Sequence, residues 1–271
     1  MAESNSSGAD WLKLYATTRG DNLTQFIAIS GLTAAGKTTH SRLLAKEMGW
    51  ECLHATDVLL REMGRNPSES RGIWFSDLRE LEAARDASSV DDRVDSTILA
   101  RLSEDSSPAV IDSWSLPWYG PRRISSIWIG SDRLSRTWKC QVSRLPQRDF
   151  DVVRCAALID EKDLASRVRF IERYGIDIFS DRQPFDFVLD NSHLITSPTE
   201  ASSAKGIAAF HQVVMACAKL VTGGSGNALA DIIDGSDYDL SSSVVALSSR
   251  ALRALRRRSA SSTGKLPTRI L

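Results

Sequence analysis

Gly31-Leu32-Thr33-Ala34-Ala35-Gly36-Lys37-Thr38 has the spacing of a phosphate-binding loop, two glycines with four residues between them followed by Lys-Thr. The glycines let the backbone curl so that several N–H groups face one anion. In such a loop Lys37 reaches the β and γ phosphates of a nucleoside triphosphate, and the Thr38 hydroxyl ligates Mg²⁺. The nucleotide-contacting set is therefore Gly31, Leu32, Thr33, Ala34, Ala35, Gly36, Lys37 and Thr38, with Thr39 directly behind them. Phe26 to Ser30, an apolar run, reads as a buried strand entering the loop. Leu43, Leu44 and Met48 recur at helical spacing on the way out, and Gly49 is the stop signal. Strand, glycine-rich loop and helix follow in the required order, and an α/β fold is the consequence.

Working outward, the pattern alternates. A second strand spans Glu51 to Ala55, a helical turn runs from Asp57 to Gly64, and a helical region from Trp74 to Leu102 is interrupted near Ser88-Ser89. Ala109 to Asp112 is a third strand, Ile124 to Gly130 a fourth and Phe185 to Asp190 a fifth. Helices are expected at Asp132 to Val142, Leu158 to Tyr174 and Thr199 to Val221. Strands alternating with helices predict a mostly parallel sheet covered on both faces, with ligands at the carboxyl ends of the strands. We divide the chain into an N-terminal extension (1–22), a nucleotide-binding domain (23–222) and a C-terminal extension (223–271) that is basic and partly flexible. Val244 to Arg258 reads as a basic amphipathic helix in a dispensable extension, so truncation after Gly223 is expected to leave a folded chain.

The 271 residues are 42% hydrophobic and 25% charged, ordinary for a globular protein with a full core. Formal net charge is zero but unevenly placed. Seven of the 34 basic residues lie in 241–271, which holds no acid, leaving 27 basic against 34 acidic groups before it. A mildly acidic body argues against nucleic-acid binding by the core. Cys52, Cys140, Cys155 and Cys217 form no C-x-x-C pair; reduced thiols in a cytoplasmic protein are expected, with neither a zinc site nor a disulfide framework. No apolar stretch resembles a signal peptide or approaches the length of a membrane span.

Other strand ends carry groups that phosphoryl transfer uses. Asp112 closes the third strand, where a carboxylate holds Mg²⁺ directly or through water; capping a turn is the plainer role. Asp57 follows the second strand, with Arg61 one helical turn on. This pair either grips an acceptor hydroxyl and its phosphate or is a dipole-favoured acid beside a solvated arginine. Arg167, Arg169 and Arg173 lie on a charged helix, either as cations that close over the transferred group or as an ordinary solvated face. Trp114 and Trp118 either stack on a planar ring or pack as core. His40, inside the first helix, reads as a packed or solvated residue rather than a catalyst.

Several segments together resemble the cytidylate kinase family, in its short archaeal-like branch of the nucleoside-monophosphate kinases. They are ISGLTAAGKTTHSRLLAKEMGW, CLHATDVLLREMG, DDRVDSTILARLSEDSSPAVIDSW, SIWIGSDRLSRTW, RVRFIERYGIDI and FDFVLDNSHL, in the family's order across roughly residues 24–222. The resemblance implies a P-loop kinase fold: five parallel strands in the order 2-3-1-4-5, helices on both faces, an acceptor-binding arm and a small lid. It implies ATP as donor and a nucleoside monophosphate as acceptor. Asp57 and Arg61 then fall on the acceptor-phosphate segment, Arg167, Arg169 and Arg173 on the lid arginines, and Asp190 on the strand end near the acceptor. The chain departs from the family in several places, among them a lid short in acceptor-binding charge and a basic C-terminal tail without a family counterpart. One extra residue separates Asp57 from Arg61, and Ser113 to Trp118 stands where a basic acceptor-binding residue is common.

The expectation is an ATP- and Mg²⁺-dependent kinase acting on a CMP-like nucleoside monophosphate or a nucleotide-like small acceptor. Lys37, Asp57 and the three arginines would be catalytic, Asp57, Arg61, Trp114 and Asp190 acceptor-binding, and Thr38 and Asp112 metal-binding. Two alternatives are a kinase for a hydroxyl of a specialised metabolite and a non-catalytic ATP-binding module.

Overall fold

The computed structural model describes residues 24–70, 73, 78–86, 89–104, 107–121, 124–144, 151–223 and 240–251. The whole N-terminal extension (1–22) and the basic residues from Arg253 onward lie outside them.

Strand β1 (Phe26–Gly31) is central, and its residues are buried on both faces. β2 (Glu51–His54), β3 (Ala109–Asp112), β4 (Ile124–Gly130) and β5 (Phe187–Asp190) run parallel to it, and β6 (Val244–Leu247) pairs antiparallel with β5. Spatial order is β2-β3-β1-β4-β5-β6. The expected order 2-3-1-4-5 is contained in this sheet. The expectation of five strands is corrected to six, because Val244 to Leu247 is an edge strand rather than the start of a helix. Val244, Ala246 and Leu247 bury their side chains there and Val245 is exposed, and the ladder to β5 shifts register between Val188 and Leu189.

The helices are α1 (Lys37–Met48), α2 (Ala55–Glu62), α3 (Leu78–Asp86), α4 (Val90–Glu104), the single turn α5 (Leu116–Tyr119), α6 (Arg133–Ser143), α7 (Val152–Tyr174) and α8 (Glu200–Thr222). Alternation along β1 divides the core. Ile27 and Ile29 meet Leu44 of α1 and Phe210, Val213 and Val214 of α8 on one face. Phe26 and Ala28 meet Val58 and Leu59 of α2 and Val94, Ile98 and Leu102 of α4 on the other. That double burial explains why β1 reads as a continuous apolar run.

Leu240, Val244, Leu247 and Ala251 join the same core cluster as β1 and α8, so the core extends past the boundary drawn at residue 222. α8 also corrects the reading that no stretch approaches a membrane span. Its 23 residues are long and apolar enough to cross one, but 67% of that window is buried inside the fold, as in a core helix. All four cysteines are free thiols.

Candidate active site

β1 delivers the chain into the loop beneath β4. Gly31 has φ 154, and a Cβ there would lie 2.3 Å from the carbonyl oxygen of Ile129, so only glycine fits. Gly36 precedes α1 and contributes no side-chain cap, and the first turn of α1 carries no acid. The first amides of the helix are therefore open at its positive end, an anion site by construction.

Lys37 Nζ donates to Leu32 O at 2.9 Å and lies 4.6 Å from the Trp114 ring centroid. Burial lowers its pKa to about 8, against the pull of Asp112 and Asp163. Thr38 Oγ1 donates to Asp112 Oδ2 at 2.5 Å, joining the loop to the end of β3. Burial alone would raise the Asp112 carboxyl, but His54, Lys37 and Thr38 together hold it below the usual range. A hydroxyl and a carboxylate converging at the phosphate loop are hard oxygen donors, and they fit Mg²⁺. His54, 3.3 Å from Asp112, was not anticipated in this role. Burial lowers the imidazole, and the hydrogen bonds and charges of Asp112 and Cys52 together more than reverse this, to about 9.

A cleft of 1030 Å³ opens over the loop, lined by Thr33 to Thr39 and by residues of α2, α3, α4, α6, α7 and α8. Asp57, Asp112, Trp114 and Arg169 line it, whereas Arg61, Arg167, Arg173 and Asp190 do not. Gly31 and Leu32 do not line it. Asp57 Oδ1 is buried and makes no hydrogen bond within the described structure.

The arginines of α7 are held by carboxylates. Arg167 makes two bonds to Asp177, at 2.9 and 2.7 Å. Arg169 pairs with Glu82 and Asp86 of α3 and with Asp91 of α4. Arg173 pairs with Asp92 and Asp95. The helical face that meets the cleft carries Lys162, Ser166, Arg169, Phe170 and Tyr174, and Arg167 falls off it. Counting arginines along the sequence gave neither that phase nor the acids of α3 and α4 facing them.

Trp114 packs 5.9 Å from Phe170 at the cleft wall. Trp118 is a structural residue, edge-on to Phe185 at 5.0 Å with its indole N–H bonded to Asp181. Asp190 accepts from the Ser192 amide at 2.8 Å, while the next residue, Asn191, reaches the loop and donates to Ala35 O at 3.0 Å. His40 is packed against Phe210 and His211, and burial lowers it to about 3, so it stays neutral. Arg136 and Asp163 were also unforeseen. Asp163 accepts from Thr33 N at 2.9 Å, Arg136 donates to Thr33 O at 3.1 Å, and the two side chains pair in the interior.

No protein-family model matches the chain. The cytidylate kinase of Pyrobaculum aerophilum is 30% identical over 169 residues, which cover 62% of this chain and 84% of that protein. This chain belongs to the cytidylate kinase family. A second member, the cytidylate kinase of Thermococcus kodakarensis, is 26% identical over 182 residues, 62% of this chain and 79% of that protein. Among solved structures, a shikimate kinase from Bacteroides thetaiotaomicron superposes with TM-score 0.39 at 10% identity, over 70% of this chain and 97% of that one. That overlap is too slight to carry an argument. Membership makes the chain a P-loop kinase acting on a nucleotide or small molecule.

Proposed function

We propose that the protein transfers the γ-phosphoryl group of ATP to a nucleoside monophosphate of the CMP type. The observation that carries this reading is the contact of Thr38 with Asp112 beside a buried Lys37 at the mouth of a phosphate loop. The loop amides and Lys37 bind the β and γ phosphates. Thr38 and Asp112 would hold Mg²⁺, which supplies positive charge to the phosphate oxygens when bound. Arg85 and Arg169, both on the cleft and both paired with Asp91, are placed to receive an acceptor phosphate as that carboxylate is displaced. Positioning and electrostatics carry the reaction, with no covalent enzyme intermediate.

Turnover of CMP, UMP, dCMP and AMP, followed as ADP release with ATP and Mg²⁺, tests the proposal. At least one monophosphate should support ADP formation that is lost in Lys37→Ala. Undiminished turnover in that variant would sink the reading.

Two observations favour a second reading, a kinase for a neutral hydroxyl. Arg85 and Arg169 are already neutralised by acids, and Asp57 Oδ1 is buried without a partner. Asp57 would then accept the proton of the attacking hydroxyl. Silence across the monophosphate panel, together with ADP release for a hydroxyl compound, selects this reading.

A further inference from the structure

α7 carries a cation besides its arginines that faces the phosphate loop. Lys162 is buried and lines the same cleft as Lys37. Its Nζ lies 5.8 Å from the centroid of the Trp114 ring, and Lys37 Nζ lies 4.6 Å from that same centroid. One indole thus meets two ammonium groups, one from the loop and one from α7. Burial, and after it the charge on Lys37, pushes Lys162 well below the usual lysine range. The ring face offsets part of that cost, but two like charges still repel. A polyanion between them would relieve the repulsion and replace lost hydration.

We propose that Lys162 is a catalytic residue of the phosphoryl transfer, closing with Lys37 around the transferred group. This rests on the phosphotransferase reading above. The position of Lys162 is set in advance by its neighbour, because Asp163 accepts from Thr33 N and pairs with Arg136, which bonds Thr33 O. α7 is thereby pinned to the loop one residue away from the ammonium, before any substrate arrives. During transfer the bond from the γ phosphorus to its bridging oxygen breaks as the bond to the acceptor oxygen forms. Lys162 gives up no proton and offers only charge to the non-bridging oxygens. The sequence assigned that role to Arg167, Arg169 and Arg173, which the acids of α3, α4 and the segment after α7 now occupy.

The test uses the full chain with Lys162→Met, Lys162→Arg and Lys37→Met, titrated calorimetrically with inorganic tripolyphosphate and assayed for ADP formation. Lys162→Met should weaken tripolyphosphate binding at least about 10-fold and lower kcat by about 10²–10³, with the acceptor KM little changed. Titration in buffers of different ionisation heat should show less proton uptake on binding by Lys162→Met than by the wild type. Lys162→Arg should restore binding and most of kcat. Binding unchanged in Lys162→Met but lost in Lys37→Met overturns the role of Lys162 and leaves the phosphate-loop reading standing. Binding that depends on neither lysine overturns both. Equal loss in the Met and Arg variants marks a packing role and also overturns the proposal.

Discussion

Lys37 sets function against stability within one side chain. Its pKa falls from 10.5 to about 8 on folding, because burial strips its hydration. Between those values the unfolded chain binds a proton that the folded chain does not, so this residue's contribution to stability rises with pH through that window. At pH 7 the buried charge is a net cost. We predict that Lys37→Met raises the melting temperature at pH 7, by an amount equivalent to about 1–3 kcal/mol, while abolishing ATP binding. A lower melting temperature in that variant would refute the argument. The same titration predicts that wild-type ATP affinity holds up to about pH 8 and weakens above it, as the free protein loses the ammonium; calorimetry across that range checks it. Asp112 makes a separate prediction. Asp112→Asn should raise the Mg²⁺ concentration needed for half-maximal ADP formation by about 10-fold or more, with ATP binding in EDTA preserved. Lys37, Thr38 and Asp112 were legible from sequence because the loop motif and a strand-end carboxylate are local patterns. Lys162, Asp163 and Arg136 were not, because their roles depend on the rotational phase of two helices against the loop.

Elements divide in the same way. β1 to β5 and most helices were readable from apolar runs, helical periods and stop signals such as Gly49, a left-handed cap in the structure. Partners across elements were hidden. Arg169 and Arg173 bind α7 to α3 and α4, and Arg85 binds α3 to α4, through acids that periodicity alone presents as solvated. α8 shows a contact of the same hidden kind. A Cβ on Gly206 would lie 2.5 Å from Leu194 O and 2.8 Å from Ile195 Cγ1, so α8 seats directly on the segment that lines the cleft. Backbone oxygen cannot yield as a flexible side chain does. Gly206→Ala should therefore displace α8, destabilise the fold by about 1–3 kcal/mol and raise the KM for ATP. Unaltered melting and KM would show that the contact is slack.

At the scale of the whole molecule, β6 revises the domain plan. Leu240, Val244, Leu247 and Ala251 are buried with β1 and α8, and β6 covers an edge of β5 that would otherwise be open. Truncation after Gly223 should lower the melting temperature and promote self-association, measurable by calorimetry and light scattering. A truncated chain that melts like the full one would restore the reading of 223–271 as dispensable. The sequence concealed β6 because four apolar residues beside an arginine-rich run satisfy a helical stripe as well as a short strand.

The direction of β6 also decides where residues 248–251 lie. β1 to β5 end at the phosphate loop, but β6 runs the other way. Val244 pairs with Leu189 and Leu247 with Phe187, after which Ser248 bonds Asp186 O and Arg250 bonds Ile124 O, at the starts of β5 and β4. The turn from Ser248 to Ala251 thus sits at the end of the sheet remote from the cleft, where a reporter would sense the fold without obstructing nucleotide.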